Sequence, residues 1–405
     1  MPGRRYEIVL HGATGFVGRL IARHLVADAG AGARIALSGR SEPRLRALRA
    51  ELGVDWPVLV TDGRDPAAVA ALAASTGVVA TTVGPYARLG LPLVRACAEA
   101  GTSYCDLTGE TSFVRESAAA AHVPAAGTGA RIVHSAGFDS VPADLGVLLL
   151  HERVRSDGAG TLADTVLVLV SVRGGISGGT VDSMRGELAA AAADPALRGA
   201  LADPYALSPD RAADPPGHDE RDLDRPIRDP LLGRWVAPNP FAPHDSRIVR
   251  RSNALLGHAY GPGFRYREVL SVGQGPAAPV LAGLVTAGLG AFVAGMRYGP
   301  TRALLDRALP TPGRGPSEKT RQSGHFRIEV HTVTSTGARY RATVAAQGDP
   351  GYAATAVIFG QSALSLARDA LDSPGGVLTP AAALGDHLAD RLRGQGFELS
   401  VARLN

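Results

Sequence analysis

Seven residues restrict the fold of this 405-residue chain more than any others. Gly12-Ala13-Thr14-Gly15-Phe16-Val17-Gly18 lies directly between an apolar stretch, Tyr6–Leu10, and a segment with helical apolar spacing, Phe16–Ala27. A tight turn at this place requires glycine conformations, and the missing side chains let a ligand approach bare backbone. The helix that follows offers unpaired N–H groups and the positive end of its dipole to an anion. The pattern is G-x-x-G-x-x-G rather than G-x-G-x-x-G. Its position between strand and helix marks it as a dinucleotide site.

The first half of the chain repeats that alternation. Arg34–Leu37, Val58–Val60, Val78–Val83, Ser103–Leu107 and Arg131–His134 read as short strands, with helical stretches such as Pro43–Leu52 between them. Strands alternating with helices predict an α/β, Rossmann-type doubly wound parallel sheet over residues 1–155. After Arg155 the pattern changes. Thr165–Val172, Tyr266–Val272, His325–Thr334 and Arg339–Ala346 are longer strands, the last two around a Thr-Gly turn. They predict a second, α+β domain with a largely antiparallel sheet over 156–380, for substrate and dimer contacts. Ser208–Pro230, rich in Pro, Asp and Arg, reads as a surface loop. Tyr352–Leu371 and Pro380–Arg393 read as helices and Phe397–Leu404 as a strand, with 381–405 as a C-terminal unit.

The second strand selects among dinucleotides. An NAD site places an acid near the end of this strand to accept the ribose hydroxyls. Here the strand ends as Leu37-Ser38-Gly39-Arg40, with Glu42 nearby. Arg40 and Ser38 would hold a 2′-phosphate through charge-assisted hydrogen bonds, and Arg44 is either a further contact or a solvated helix position. NADP(H) is therefore expected over NAD(H). Thr81-Thr82-Val83-Gly84-Pro85-Tyr86 follows the fourth strand, and ligands of such sheets lie beyond the carboxyl ends of the strands. Gly84 and Pro85 would turn beside the cofactor ribose. Tyr86 offers either a phenolic proton or an aromatic wall.

Composition narrows the chemistry. Of 42 basic residues only Lys319 is a lysine, so Schiff-base or lysine general-base catalysis has a single candidate, far from the nucleotide motifs in sequence. The net charge of +4 is scattered among acids without a basic run, which argues against nucleic acid. Cys97 and Cys105 supply no disulfide framework, and C-x7-C is not a metal-ligand spacing. A cytoplasmic, reduced setting without a signal peptide is expected, and no metal. There is no G-x-S-x-G elbow, no H-E-x-x-H and no histidine pairing. Hydride transfer needs none of these, because the cofactor carries the chemistry and the protein supplies orientation and one proton. Val269–Met296 carries no charge, and Ala277–Met296 has the length of a membrane span. Its prolines and glycines favour a buried or substrate-lining helix. Peripheral contact with a lipid surface or acyl chain, and a true span, are the alternatives.

Further motifs carry a resemblance. Val83-Gly84-Pro85-Tyr86, Tyr104-Cys105-Asp106-Leu107-Thr108-Gly109-Glu110 and Gly137-Phe138-Asp139-Ser140-Val141-Pro142-Ala143-Asp144 join the glycine turn. Gly178-Gly179-Thr180, Val249-Arg250-Arg251-Ser252, Tyr266-Arg267-Glu268, Gly348-Asp349-Pro350-Gly351-Tyr352 and Gly375-Gly376-Val377-Leu378-Thr379-Pro380 extend it through the second half. Together they resemble the saccharopine dehydrogenase-like oxidoreductases, and within that group most resemble the mycobacterial trans-acting enoyl reductases and their actinobacterial relatives. The resemblance implies a Rossmann domain, a substrate domain, and reduction of an enoyl double bond on a chain carried by a polyketide synthase during cell-wall lipid synthesis. It also takes in enzymes that make or cleave saccharopine. The N-terminal domain has no lysine, which sets this chain apart from those that work through an active-site lysine.

Several polar residues near these motifs have two readings. Asp106 could orient a ligand, and Glu110 could do so or act as a first-turn helix acid. Asp139 and Ser140 follow the sixth strand, where they either contact substrate or cap the helix beginning near Pro142. His134 is a satisfied core histidine or an acid–base group. Catalytic roles are expected at Tyr86, Asp139 and Ser140, with Tyr86 the first choice of donor to the α-carbon once hydride has added to the β-carbon. The expected function is NADPH-dependent reduction of a polyketide or lipid acyl thioester, carried by a protein partner. The alternatives are a saccharopine-type dehydrogenase, in which Arg250 and Arg251 either grip carboxylates or brace the domain interface, and a non-catalytic, membrane-associated cofactor-binding protein. A homodimer is the default assembly.

Overall fold

The computed structural model describes residues 3–175, 177–215, 220–297, 300–301 and 315–405. Six strands open the chain: β1 (Tyr6–His11), β2 (Ile35–Gly39), β3 (Val58–Val60), β4 (Thr76–Thr81), β5 (Ser103–Cys105) and β6 (Arg131–Val133). β1 carries Ile8, Val9 and Leu10, all fully buried, as expected of a parallel strand covered on both faces. Helix Phe16–Asp28 buries Gly18, Ile21, Ala22 and Leu25, the helical spacing read from the sequence. β1 pairs with β2 on one side and β4 on the other, all in parallel. The strand order therefore reverses at β1, and a crevice opens beyond the ends of β1 and β4.

The second sheet is built from β7 (Leu162–Arg173), β8 (Ile227–Asp229), β9 (Arg234–Pro238), β10 (Arg265–Ser271), β11 (His325–Thr334) and β12 (Arg339–Gln347). Its pairings are antiparallel apart from β7 with β10. Along β11, half-buried and buried residues alternate, the period of a strand with one covered face. Helix Val141–Ser156 joins the two sheets and is buried on every side from Val141 to Leu150. It packs against β11, β12 and helices Ala242–Leu255 and Pro380–Gly394.

Three expectations change. The divisions at 155 and 380 do not follow the sheets. Helix Thr355–Arg368 packs back on helix Phe16–Asp28, and β13 (Gly376–Leu378) extends the first sheet in parallel beside β6. β14 (Glu398–Leu404) then returns to the second sheet beside β12. Both sheets thus have seven strands, in the orders β13-β6-β5-β4-β1-β2-β3 and β14-β12-β11-β7-β10-β9-β8.

The segment Ser208–Pro230 is strapped down rather than free, because the buried arginines of helix Ala242–Leu255 require carboxylate partners. Glu220 pairs with Arg250, and Asp222 pairs with Arg247. Residues 216–219 of that segment lie outside the described residues.

The uncharged stretch forms helix Ala278–Arg297, which lies along β9 rather than buried inside the protein, while its Val293 lines a cleft, as the substrate-lining reading expects. Val280 and Leu284 are each 64% exposed. Hydrophobic composition does not distinguish a core helix from an apolar surface. Ala278–Met296 is long and apolar enough to cross a membrane, yet strands of one sheet precede and follow it.

Candidate functional site

The crevice begins at the glycine turn. Gly12 has φ +84°, and a Cβ there would lie 2.7 Å from Thr82 Oγ1. A Cβ on Gly18 would lie 2.3 Å from the Gly12 carbonyl oxygen. Only glycine therefore lets turn, strand and helix approach this closely, which is the cradle that a pyrophosphate requires. Helix Phe16–Asp28 begins at Gly15 with no side-chain cap, leaving its first N–H groups for an anion. The Thr82 hydroxyl donates to the Gly12 carbonyl at 3.1 Å and ties the turn after β4 to the glycine turn.

The end of β2 corrects one assignment. Ser38 is fully buried, with its Oγ 3.0 Å from His11 Nδ1. Burial pushes the His11 pKa down to about 4, so this pair is a neutral core contact. Ser38 belongs to a strand covered on both faces, and so does not present its hydroxyl to a phosphate. Arg40 is exposed immediately beyond the strand, and Arg44 donates to the Thr14 carbonyl at 3.3 Å. Two arginines thus stand at this end of the cradle.

Gly84, Pro85 and Tyr86 line the cleft. The Tyr86 hydroxyl donates to the Thr81 carbonyl and accepts from the Leu107 N–H, both at 3.3 Å. Its ring stacks on Phe113, and burial followed by the nearby Asp106 charge pushes the phenol pKa well up. Tyr86 is thereby a wall whose proton is already committed. Glu110 accepts from the N–H groups of Tyr86 and Ala87, at 3.0 and 2.7 Å, and so caps a neighbouring turn rather than its own helix. Asp106 accepts from the Tyr104 hydroxyl at 2.9 Å and lies 2.7 Å from His134 Nδ1, whose Nε2 is 2.7 Å from Ser117 Oγ. His134 is a satisfied core histidine.

The cleft lining also carries acids. Asp139 does not cap the following helix, whose N-cap position is Ser140. It lines the cleft half-buried, with Oδ2 3.5 Å from Thr180 Oγ1, and burial raises its carboxyl to about 6. The Ser140 hydroxyl donates to Asp245 Oδ1 at 2.8 Å. Asp245, on helix Ala242–Leu255, also lines the cleft. Burial first, then the charges of Glu268 and Asp139, push its carboxyl well above the carboxylate range. Behind it, Glu268 accepts from Asn239 Nδ2 and the Tyr266 hydroxyl, both at 2.9 Å, and burial raises it to about 8. His244 is held by Thr111 and Ser135 at 2.9 Å each, and burial lowers its pKa to about 3.

Sequence reading missed Asp245 and His244. An acid in the first turn of a helix reads as a dipole partner, and nothing in the spacing reveals that this one is buried. Thr180 and Glu268 stood within quoted motifs but without a role.

The cleft has a volume of about 580 Å³. Its lining includes Gly15–Gly18, the acids Asp139, Asp182, Glu187 and Asp245, and the apolar side chains of Met184, Leu188, Leu201, Phe241 and Val293. Arg198 is the single arginine or lysine among its described lining residues. Arg250 and Arg251 do not reach it. Arg250 is bound to Glu220 and the Tyr266 carbonyl, and Arg251 to the carbonyls of Leu207 and Val377. Buried guanidinium groups spent on backbone carbonyls brace the elements around them and do not grip a substrate, which leaves the bracing reading of the two.

Comparison with known proteins agrees with this geometry. Residues 8–133 match the saccharopine dehydrogenase NADP binding domain family. A Mycobacterium tuberculosis protein provisionally named a trans-acting enoyl reductase is 52% identical, over 99% of this chain and 98% of its own. The trans-acting enoyl reductases of Mycobacterium bovis and Mycobacterium ulcerans are 49% and 48% identical, each over 99% of both chains. The apo saccharopine dehydrogenase (L-Glu forming) of Saccharomyces cerevisiae shares the fold, with a TM-score of 0.51 at 13% identity over 98% of this chain and 99% of that one. The chain carries an NADP(H)-binding domain and belongs to the trans-acting enoyl reductase family of saccharopine dehydrogenase-like, NADP-dependent oxidoreductases.

Proposed function

We propose that this chain reduces the carbon–carbon double bond of an enoyl thioester, on a polyketide- or lipid-type acyl chain presented by a carrier protein of a polyketide synthase. One observation carries the reading. The glycine turn that makes a phosphate cradle, a set of acids and a set of apolar side chains all line one cleft. When bound, NADPH supplies the hydride. The Gly12–Gly18 turn and the helix N-terminus hold the pyrophosphate, Arg40 and Arg44 the 2′-phosphate, and Gly84-Pro85 the side of the ribose. Met184, Leu188 and Phe241 give the acyl chain an apolar wall. A saccharopine-like substrate brings several carboxylates, which would meet Asp139, Asp182, Glu187 and Asp245, with Arg198 the only arginine or lysine among the described lining residues to balance them. The names of the mycobacterial relatives support a partner acted upon in trans. Two free, buried cysteines suit a reducing cytoplasm.

NADPH oxidation measured with enoyl thioesters and, separately, NADP⁺ reduction with saccharopine tests the proposal. Saturated thioester, identified by mass, is the expected product. Turnover of saccharopine alone would overturn the reading, and cofactor binding without turnover of either would point to the non-catalytic alternative.

A further inference from the structure

We propose that Asp245 is the proton donor of this reduction, carrying the proton on Oδ2 at the cleft while Ser140 holds Oδ1. The proposal rests on the enoyl reductase reading above. Hydride addition at the β-carbon leaves an electron pair at the α-carbon, and a C–H bond must form there. The donor has to be neutral and reach the cleft.

Most groups at the cleft have their protons engaged. Tyr86 donates to Thr81, and Thr180 faces Asp139. Both nitrogens of His244 are engaged by Thr111 and Ser135. Asp245 differs. It is 3% exposed and lines the cleft, and its Oδ1 takes the Ser140 hydroxyl. Its Oδ2 has no hydrogen-bond partner among the described residues. Burial foremost, and then the neighbouring acids Glu268 on β10, Asp139 in the loop after β6 and Asp144 on helix Val141–Ser156, push its carboxyl towards the neutral form. Burial among like charges keeps a carboxyl group neutral. In the step itself the Oδ2–H bond breaks and the α-carbon C–H bond forms. The carboxylate that remains is held by Ser140 and regains its proton from water before the next turnover.

Asp245→Asn keeps the shape and removes the acid. NADPH affinity, from cofactor fluorescence, should stay within twofold of wild type, while turnover of an enoyl thioester falls at least about 100-fold. Infrared spectra of the cofactor-free wild type at neutral pH should contain a protonated-carboxyl band that Asp245→Asn removes and Asp139→Asn leaves. Ser140→Ala loses a hydrogen bond that favours the carboxylate, so the alkaline limb of its kcat profile should move to higher pH. That measurement decides the matter if Asp245→Asn fails to fold. Turnover of Asp245→Asn within threefold of wild type, no such infrared band, or an unmoved alkaline limb overturns the proposal. A wild type that reduces no enoyl thioester overturns the proton path together with the reading beneath it.

Discussion

Replacing Asp144 by asparagine should reshape the pH dependence of stability without loosening the fold. Asp144 is fully buried where three helices meet. Its Oδ1 accepts from the Ser252 hydroxyl, and its Oδ2 accepts from the Ala381 N–H at 2.8 Å. Burial raises its carboxyl from 3.8 to about 7. In the unfolded chain the group loses its proton near pH 4, and in the folded chain only near pH 7. Between those values the native state binds the extra proton, so stability is fullest below pH 4 and falls as pH rises towards 7. At ~1.4 kcal/mol per unit, the whole fall is worth about 4 kcal/mol. Asparagine imitates the protonated form. Its carbonyl accepts from Ala381, its amide donates to Ser252, and it never acquires the buried charge. Urea denaturation of both proteins from pH 4 to pH 8 measures the effect. The variant's stability relative to wild type should grow by about 4 kcal/mol across that range. The raised carboxyls of Asp139 and Glu268 slope the same way in both proteins and cancel in the difference. Curves that stay parallel within about 1 kcal/mol would refute the argument from burial.

Three further outcomes follow from the site and the surface. Tyr86→Phe removes one buried donor and acceptor, so thermal or urea unfolding should show a loss of about 1–2 kcal/mol, with turnover within threefold of wild type; a large loss of turnover at unchanged stability would return the phenol to the chemistry. Arg40→Ala should lower kcat/KM for NADPH by about 10- to 100-fold, the worth of one charged hydrogen bond, while leaving NADH unaffected; an unchanged ratio removes Arg40 from cofactor choice. Val280→Ser combined with Leu284→Gln should change stability by less than about 0.5 kcal/mol. The same double variant should elute earlier from a hydrophobic-interaction column, and unchanged elution would contradict the exposure of that face.

The parts legible from sequence are those in which local sterics or period leave no choice. Gly18 is demanded by Gly12 and Ala13 within the same strand–turn–helix unit and Gly12 by its own φ of +84°, and β11 shows its covered face by simple alternation. Three features escaped because distant partners determine them. Ser38 looks like a phosphate ligand until His11, from the neighbouring strand, is set beside it. Asp245 gains its character from Glu268 and Asp139, which lie on other elements. The three residues Gly376–Leu378 are too few to show a strand period, and only their pairing with β6 reveals their sheet. Helix Ala278–Arg297 is the reverse case. Its existence was legible, but not the side on which solvent lies.

The late arrival of β13 governs how the protein can be made and divided. The nucleotide-binding sheet lacks its outer strand until nearly the whole chain has left the ribosome, and β6 is an open edge until then. A fragment cut after residue 155 would keep every glycine of the cradle yet expose that edge to pairing with other chains. Neither half can therefore be exchanged as a cassette at that point. Because β13 and β14 complete the two sheets from one C-terminal stretch, a truncation before residue 376 removes a strand from each.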